Sequence, residues 1–122
     1  MKFLVLMYAD PDATAAMTEA ERADVFARHE ALHRDLAETG EMLNGAGLGY
    51  PAESTTLRWH GGGPTTAADG PFAAATEHVT AYYVVECASR ERAVEIARRV
   101  LDFHVVAVEV RAIHDWFGMG GE

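Results

Sequence analysis

Hydrophobic residues occupy both alternating faces of Lys2-Phe3-Leu4-Val5-Leu6-Met7-Tyr8. A strand with that pattern is covered on both sides, so it predicts a place in a sheet with a layer on each face. Ala9 to Met17, with Asp10, Pro11 and Asp12, reads as a loop. The period then changes: Val25, Phe26, His29, Leu32, His33 and Leu36 recur at three- and four-residue steps, the apolar stripe of a helix with two histidines set in it. Arg22, Arg28, Glu30, Arg34, Asp35 and Glu38 take its other sides. Thr18 and Glu21 have capping-box spacing at its start, and Gly40 closes it.

Met42-Leu43 opens a second strand that Asn44-Gly45-Ala46-Gly47-Leu48-Gly49 loosens. Glycines so close together mark a bulge, a near approach of backbone to ligand, or a loose loop. Ser54 to His60 and Thr65 to Ala68 predict a hairpin around Gly61-Gly62-Gly63-Pro64. Val79 to Glu86 is a dense apolar strand. Ser89 caps a second helix whose inward side is Ala93, Val94, Ala97, Val100 and Leu101, and His104 to Arg111 reads as the last strand.

The order strand, helix, strand, hairpin, strand, helix, strand predicts an α+β ferredoxin-like sandwich, an antiparallel sheet with two helices on one face. No repeat, low-complexity tract or linker interrupts it, so residues 1–122 read as a single domain. Two helices cannot cover both faces of the sheet, and the remaining face carries apolar residues from three strands. That predicts a homodimer whose sheets face each other, a dimeric α+β barrel, with a pocket in each subunit near the interface.

Charge narrows the partners. A formal net charge of −9, with a pI near 5.0, repels phosphate backbones and anionic lipid, so neither nucleic acid nor a membrane surface is expected. No apolar run approaches the roughly 20 residues needed to span a bilayer, and Lys2 to Tyr8 is too short for a signal-peptide core. A cytoplasmic protein is expected. Cys87 is the only cysteine, which excludes an internal disulfide and a cysteine-based metal cage.

Two motifs carry candidate chemistry. His29-Glu30-Ala31-Leu32-His33 matches H-E-x-x-H, in which histidines one helical turn apart bind zinc and the glutamate serves as base. Glu53, Asp69 and Glu109 are the possible third ligands, and none stands at a diagnostic spacing. The zinc site is therefore the lesser alternative, and no cofactor is expected. The second motif is Asp69-Gly70-Pro71-Phe72, leading through Glu77 into the Val79 strand. Asp, Gly and Pro in that order make a rigid turn that presents Asp69 and Phe72.

That turn, with its approach to a strand, resembles the signature of the DGPF subgroup of YCII-related proteins, and the resemblance spans nearly the whole chain. Its YciI-like branch carries a histidine on the first helix, paired with an aspartate past the second strand as a general acid or base. His29, ahead of Gly40, fits the histidine. The aspartate's region reads Gly49-Tyr50-Pro51-Ala52-Glu53-Ser54 here, with Glu53 as the nearest carboxylate. The resemblance implies a small-molecule ligand and, by analogy with a relative that eliminates halide from a chlorinated aromatic, cofactor-free lyase or isomerase-like chemistry. It equally admits a non-catalytic binding or regulatory protein, since DGPF proteins often accompany extracytoplasmic-function sigma factors.

On the enzyme reading His29 is the proton carrier, its ordinary pKa of about 6.5 suiting either role, and Glu53 or Asp69 orients it. The plainer reading makes His29 a core-edge histidine bonded to a carbonyl. Tyr8, Tyr82 or Tyr83, and Phe72 are candidates to line the same cavity, and Arg58 is the candidate anion contact. Glu109 stands between valines in the last strand as a buried or paired acid. Trp116 and Phe117 read as a plug for the pocket or the partner subunit.

Overall fold

The computed structural model describes residues 1–101 and 104–118. In β1 (Lys2–Ala9) the alternation is unbroken: Phe3, Val5, Met7 and Ala9 are buried, and Lys2, Leu4, Leu6 and Tyr8 are partly exposed. β1 pairs antiparallel with β5 (His78–Glu86) on one side and β6 (Ala107–Ala112) on the other, and β2 (Met42–Gly47) adds to the far edge of β5. The resulting order, β2-β5-β1-β6, is that of a ferredoxin-like α+β sheet.

Register divides the sheet into two faces. Val5 lies opposite Tyr83 and Val110, whereas Leu6 lies opposite Tyr82 and Glu109. Phe3, Val5, Met7, Tyr83 and Val85 join Leu32 and Leu36 of α2 (Glu19–Thr39) and Ala93, Ile96, Ala97 and Val100 of α3 (Arg90–Val100) in one hydrophobic cluster. Both long helices therefore cover the same face. The other carries Leu4, Leu6, Tyr8, Tyr82 and Val84, together with Glu109 and Arg111.

The ends of α2 follow their local chemistry. Thr18 and Glu21 form the capping box, each side chain bonded to the other's amide, and Gly40 at φ +76° ends the helix in left-handed backbone that a Cβ would strain. Beyond it Glu41 receives a two-pronged hydrogen bond from Arg92, at 2.9 Å and 2.8 Å, which ties the start of β2 to α3.

Several expectations change. The segment read as a loop contains a short helix, α1 (Pro11–Ala15), because Asp10 accepts the amide of Asp12 and Pro11 supplies a preset first turn. The last strand begins at Ala107 rather than His104, whose φ of +58° is incompatible with sheet pairing. In α3 Ile96 is buried and Leu101 is not. In α2 the stripe is buried only at Leu32 and Leu36; Phe26 is 66% exposed, and Val25 beside it packs against the core cluster. Trp116 lies beside Lys2, whose ammonium is 5.5 Å from the ring, and Phe117 is exposed; the glycines that close the tail lie outside the described residues.

Between β2 and β5 the chain makes a separate two-stranded hairpin, β3 (Thr55–Arg58) and β4 (Thr66–Asp69). Its base is closed by the Gly70 amide on the Ser54 carbonyl and by the Thr56 hydroxyl on the Gly70 carbonyl, both at 2.7 Å. Leu57 and Trp59 project from it almost fully exposed.

Candidate functional site

α2 carries His29 one turn before the buried Leu32 and Leu36, where the ring is half-buried above the sheet. Beneath it stands Tyr83 of β5, only 3% exposed. The Tyr83 hydroxyl and Nδ1 of His29 are joined by a hydrogen bond, and the rings meet edge to face with centroids 5.8 Å apart. His33, one turn further along α2, completes the group at 6.1 Å from His29 and 5.2 Å from Tyr83.

Tyr83 fits there because its neighbour in β2 has no side chain. Gly45 lies opposite Tyr83 in the register, and a Cβ at that position would stand 2.7 Å from Cδ1 of the ring and 2.8 Å from the carbonyl oxygen of Tyr82. The glycine-rich stretch thus makes a close approach, and what it approaches is a tyrosine of the same chain. A bulge in the pairing between Met42 and Asn44 accompanies it.

Burial fixes the charge state of the pair. Desolvation, and secondarily the charge of His33, hold the His29 imidazole below its ordinary pKa, and desolvation raises that of the Tyr83 phenol. Both groups are neutral at pH 7. A neutral phenol donates to an unprotonated Nδ1 and accepts from a protonated one, so the bond to Tyr83 orients His29 before and after a proton transfer.

His29 faces a cleft of about 330 Å³ with apolar walls from Met7, Val25, Phe26 and Leu48 and polar edges from Thr14, Arg22, Thr80 and His104. A second cavity of about 280 Å³ adjoins it, sharing Ala9, Thr14, Arg22, Leu48 and Thr80 and adding Tyr50, Glu53 and His78.

The structure distributes the residues singled out from the sequence. His29 lines the first cleft and Glu53 the second, where Glu53 Oε2 accepts the amide of Tyr50 at 2.8 Å. Asp69 is exposed at the end of β4, opposite Thr55. Phe72 is exposed near the hairpin with the Arg58 guanidinium 5.0 Å over its ring, so these two meet each other. Tyr8 and Tyr82 belong to the opposite face of the sheet, where the Tyr8 hydroxyl donates to Glu109 at 3.0 Å. That carboxylate is also paired with Arg111, which holds its pKa down, while the Glu109 bond raises that of Tyr8. Among the described residues no group of three or more His, Cys, Asp or Glu side chains is arranged to hold a metal ion, so the two histidines of the H-E-x-x-H match gain no third ligand there.

Two contributors, Arg22 and His104, are not singled out by the sequence, and Tyr83 is named there only as an alternative to Tyr82. Tyr83 was one of two adjacent tyrosines in a strand apolar on both faces, so alternation could not say which met the helix. Arg22 was assigned to the solvated side of α2. His104 was placed inside a strand.

A family model described as YCII-related domain matches residues 1–117. An uncharacterized protein of Rhizobium meliloti (strain 1021) is similar to this chain, with 35% identity over 98 residues, covering 80% of this chain and 78% of that protein.

The depressed His29 pKa has a measurable sign. Between the folded value and the unfolded value of about 6.5 the unfolded chain binds the extra proton, so the contribution of His29 to stability is lost as pH falls through 6.5 and levels off below the folded pKa. Proton NMR titration should place the His29 midpoint below 6.5. His33→Gln should move it part of the way back, leaving the depression that burial causes; a midpoint at or above 6.5 in the wild type contradicts the assignment.

Proposed function

The chain belongs to the YCII-related domain family, and on that premise we propose that it is a cofactor-free enzyme that moves a proton on a small molecule bound in the His29 cleft, by lyase- or isomerase-like chemistry. The observation that carries this reading is the buried Tyr83 hydroxyl on Nδ1 of His29, at a cleft whose volume suits a small ligand. With Nδ1 committed to Tyr83, proton exchange with the ligand passes through Nε2. His29 is neutral at pH 7, and in the tautomer that carries its proton on Nδ1, donating to the Tyr83 oxygen, Nε2 starts as a base; the imidazolium formed when Nε2 takes the ligand's proton keeps the Nδ1–H bond to Tyr83. It then returns the proton to another atom of the same ligand, or to the leaving group.

A phenol stabilises the imidazolium less than a carboxylate does. The pair therefore suits protons already acidified by an adjacent carbonyl. In this reading Glu53, in the adjoining cavity, meets the far end of a longer ligand, and the Asp69-Gly70-Pro71-Phe72 turn supports placement in the DGPF subgroup. A cytoplasmic setting accords with the free, buried thiol of Cys87, and no helix among the described residues is long and apolar enough to cross a membrane.

Deuterium incorporation from D₂O into a panel of small carbonyl compounds, followed by proton NMR, tests the chemistry. The wild type should catalyse exchange at the carbon next to the carbonyl in at least one compound. His29→Gln should lower that rate by about 10²- to 10⁴-fold. Compounds that bind in the cleft yet exchange equally with both proteins would leave a non-catalytic binding protein instead.

We also propose a homodimer formed through the sheet face that the helices leave open, where Leu4, Leu6, Tyr82 and Val84 lie together. Sedimentation equilibrium should give twice the mass of one chain, and Leu6→Arg should give the monomer. A monomeric wild type at micromolar concentration would refute the assembly.

A further inference from the structure

Arg22 is the only charged side chain among the described residues that line the His29 cleft, in a chain whose formal net charge is −9. Its guanidinium is anchored from one edge: Nη2 donates to the carbonyl oxygens of Thr14 at 2.9 Å and Ala15 at 3.4 Å, in the last turn of α1. Nε and Nη1 have no partner among the described residues and remain as donors. With Nη2 committed in this way, Nε and Nη1 each remain for a single charge-assisted hydrogen bond to a carboxylate oxygen. Arg22 also lines the adjoining cavity, so it stands at the junction of the two spaces, with Thr14 and Thr80 lining both beside it. Met7, Val25, Phe26 and Leu48 supply the cleft's apolar lining, and His29 lines the same cleft. Glu53 belongs to the adjoining cavity alone, so an anion in the His29 cleft meets no acidic side chain among its described lining residues.

We propose that Arg22 binds the carboxylate of the cleft's ligand, which makes the ligand class small carboxylic acids with an apolar or aromatic body lying between Arg22 and His29. The proposal deepens the proton-transfer reading of this cleft and rests on it for turnover, whereas carboxylate binding is measurable without turnover. It also reassigns the anion contact: Arg58, the candidate from sequence, covers Phe72 at the hairpin, and the cation in the cleft is on α2. Burial of the ligand's apolar body against Met7, Val25 and Phe26 adds affinity without discriminating acids from neutral compounds, so the discrimination falls to Arg22.

Titration with benzoate and with its neutral counterpart benzamide, read from the methyl resonances of Met7 and Val25, tests this directly. Benzoate should bind at least about tenfold more tightly than benzamide, as expected for hydrogen bonds to a charged group. Arg22→Gln should abolish that preference while leaving benzamide binding unchanged, and Arg22→Lys should retain part of it. Equal affinities in the wild type overturn the proposal whatever Arg22→Gln does to the fold, as does a preference that survives in a folded Arg22→Gln protein, or the failure of both compounds to move the cleft resonances. In His29→Gln the preference should persist. Its persistence, together with deuterium exchange that ignores His29, supports the carboxylate site and overturns only the proton-transfer reading.

Discussion

A phenol oxygen withdrawn from water has to be hydrogen-bonded, since leaving it bare costs about 1–3 kcal/mol. Tyr83 is withdrawn from water by the packing of α2 on β5, and its partner is His29. That single requirement connects three parts of the chain. Gly45 must lack a side chain for the ring to fit beside β2, α2 must hold His29 above it, and the β1–β5 register must turn Tyr83 rather than Tyr82 toward the helices. The cleft is what remains where α2, having buried Leu32 and Leu36, runs past the edge of the core at Phe26.

The two faces of the sheet divide the work. The helix-covered face holds the core and a neutral imidazole–phenol pair at a cleft that Arg22 also lines. The face without helices holds a patch of partly buried Leu4, Leu6 and Tyr82 with buried Val84, flanked by the Tyr8–Glu109–Arg111 chain of hydrogen bonds. Polar groups on that second face are paired with each other, so it can meet another apolar surface without stranding a charge. The proposed chemistry and the proposed association thus lie on opposite sides of four strands, and β1 faces both through alternate residues.

Much of the architecture was legible because the signals were periodic. The two-sided apolar run of β1, the Thr18–Glu21 capping box and the terminal Gly40 each have a local cause and appear where the sequence put them. α1 was not legible, since a five-residue helix has no stripe and only Asp10-Pro11 marked its start. The start of the last strand was missed because the left-handed backbone at His104 leaves no sign in a valine-rich segment. At the site, His29 stood out within the helical stripe, but its partner did not. The tie between Gly45 and Tyr83 exists only through register, and the identity of the cleft's cation depends on where α1 ends, neither of which a one-dimensional pattern carries.

The account stands on the bond between Tyr83 and Nδ1 of His29. Nitrogen-15 NMR of the His29 ring at pH 7, in the wild type and in Tyr83→Phe, measures it most directly. The account predicts a neutral imidazole whose Nδ1 resonance shifts when the hydroxyl is removed, with the other histidine rings unmoved. A charged imidazolium at that pH, or an Nδ1 resonance identical in the two proteins, would contradict it.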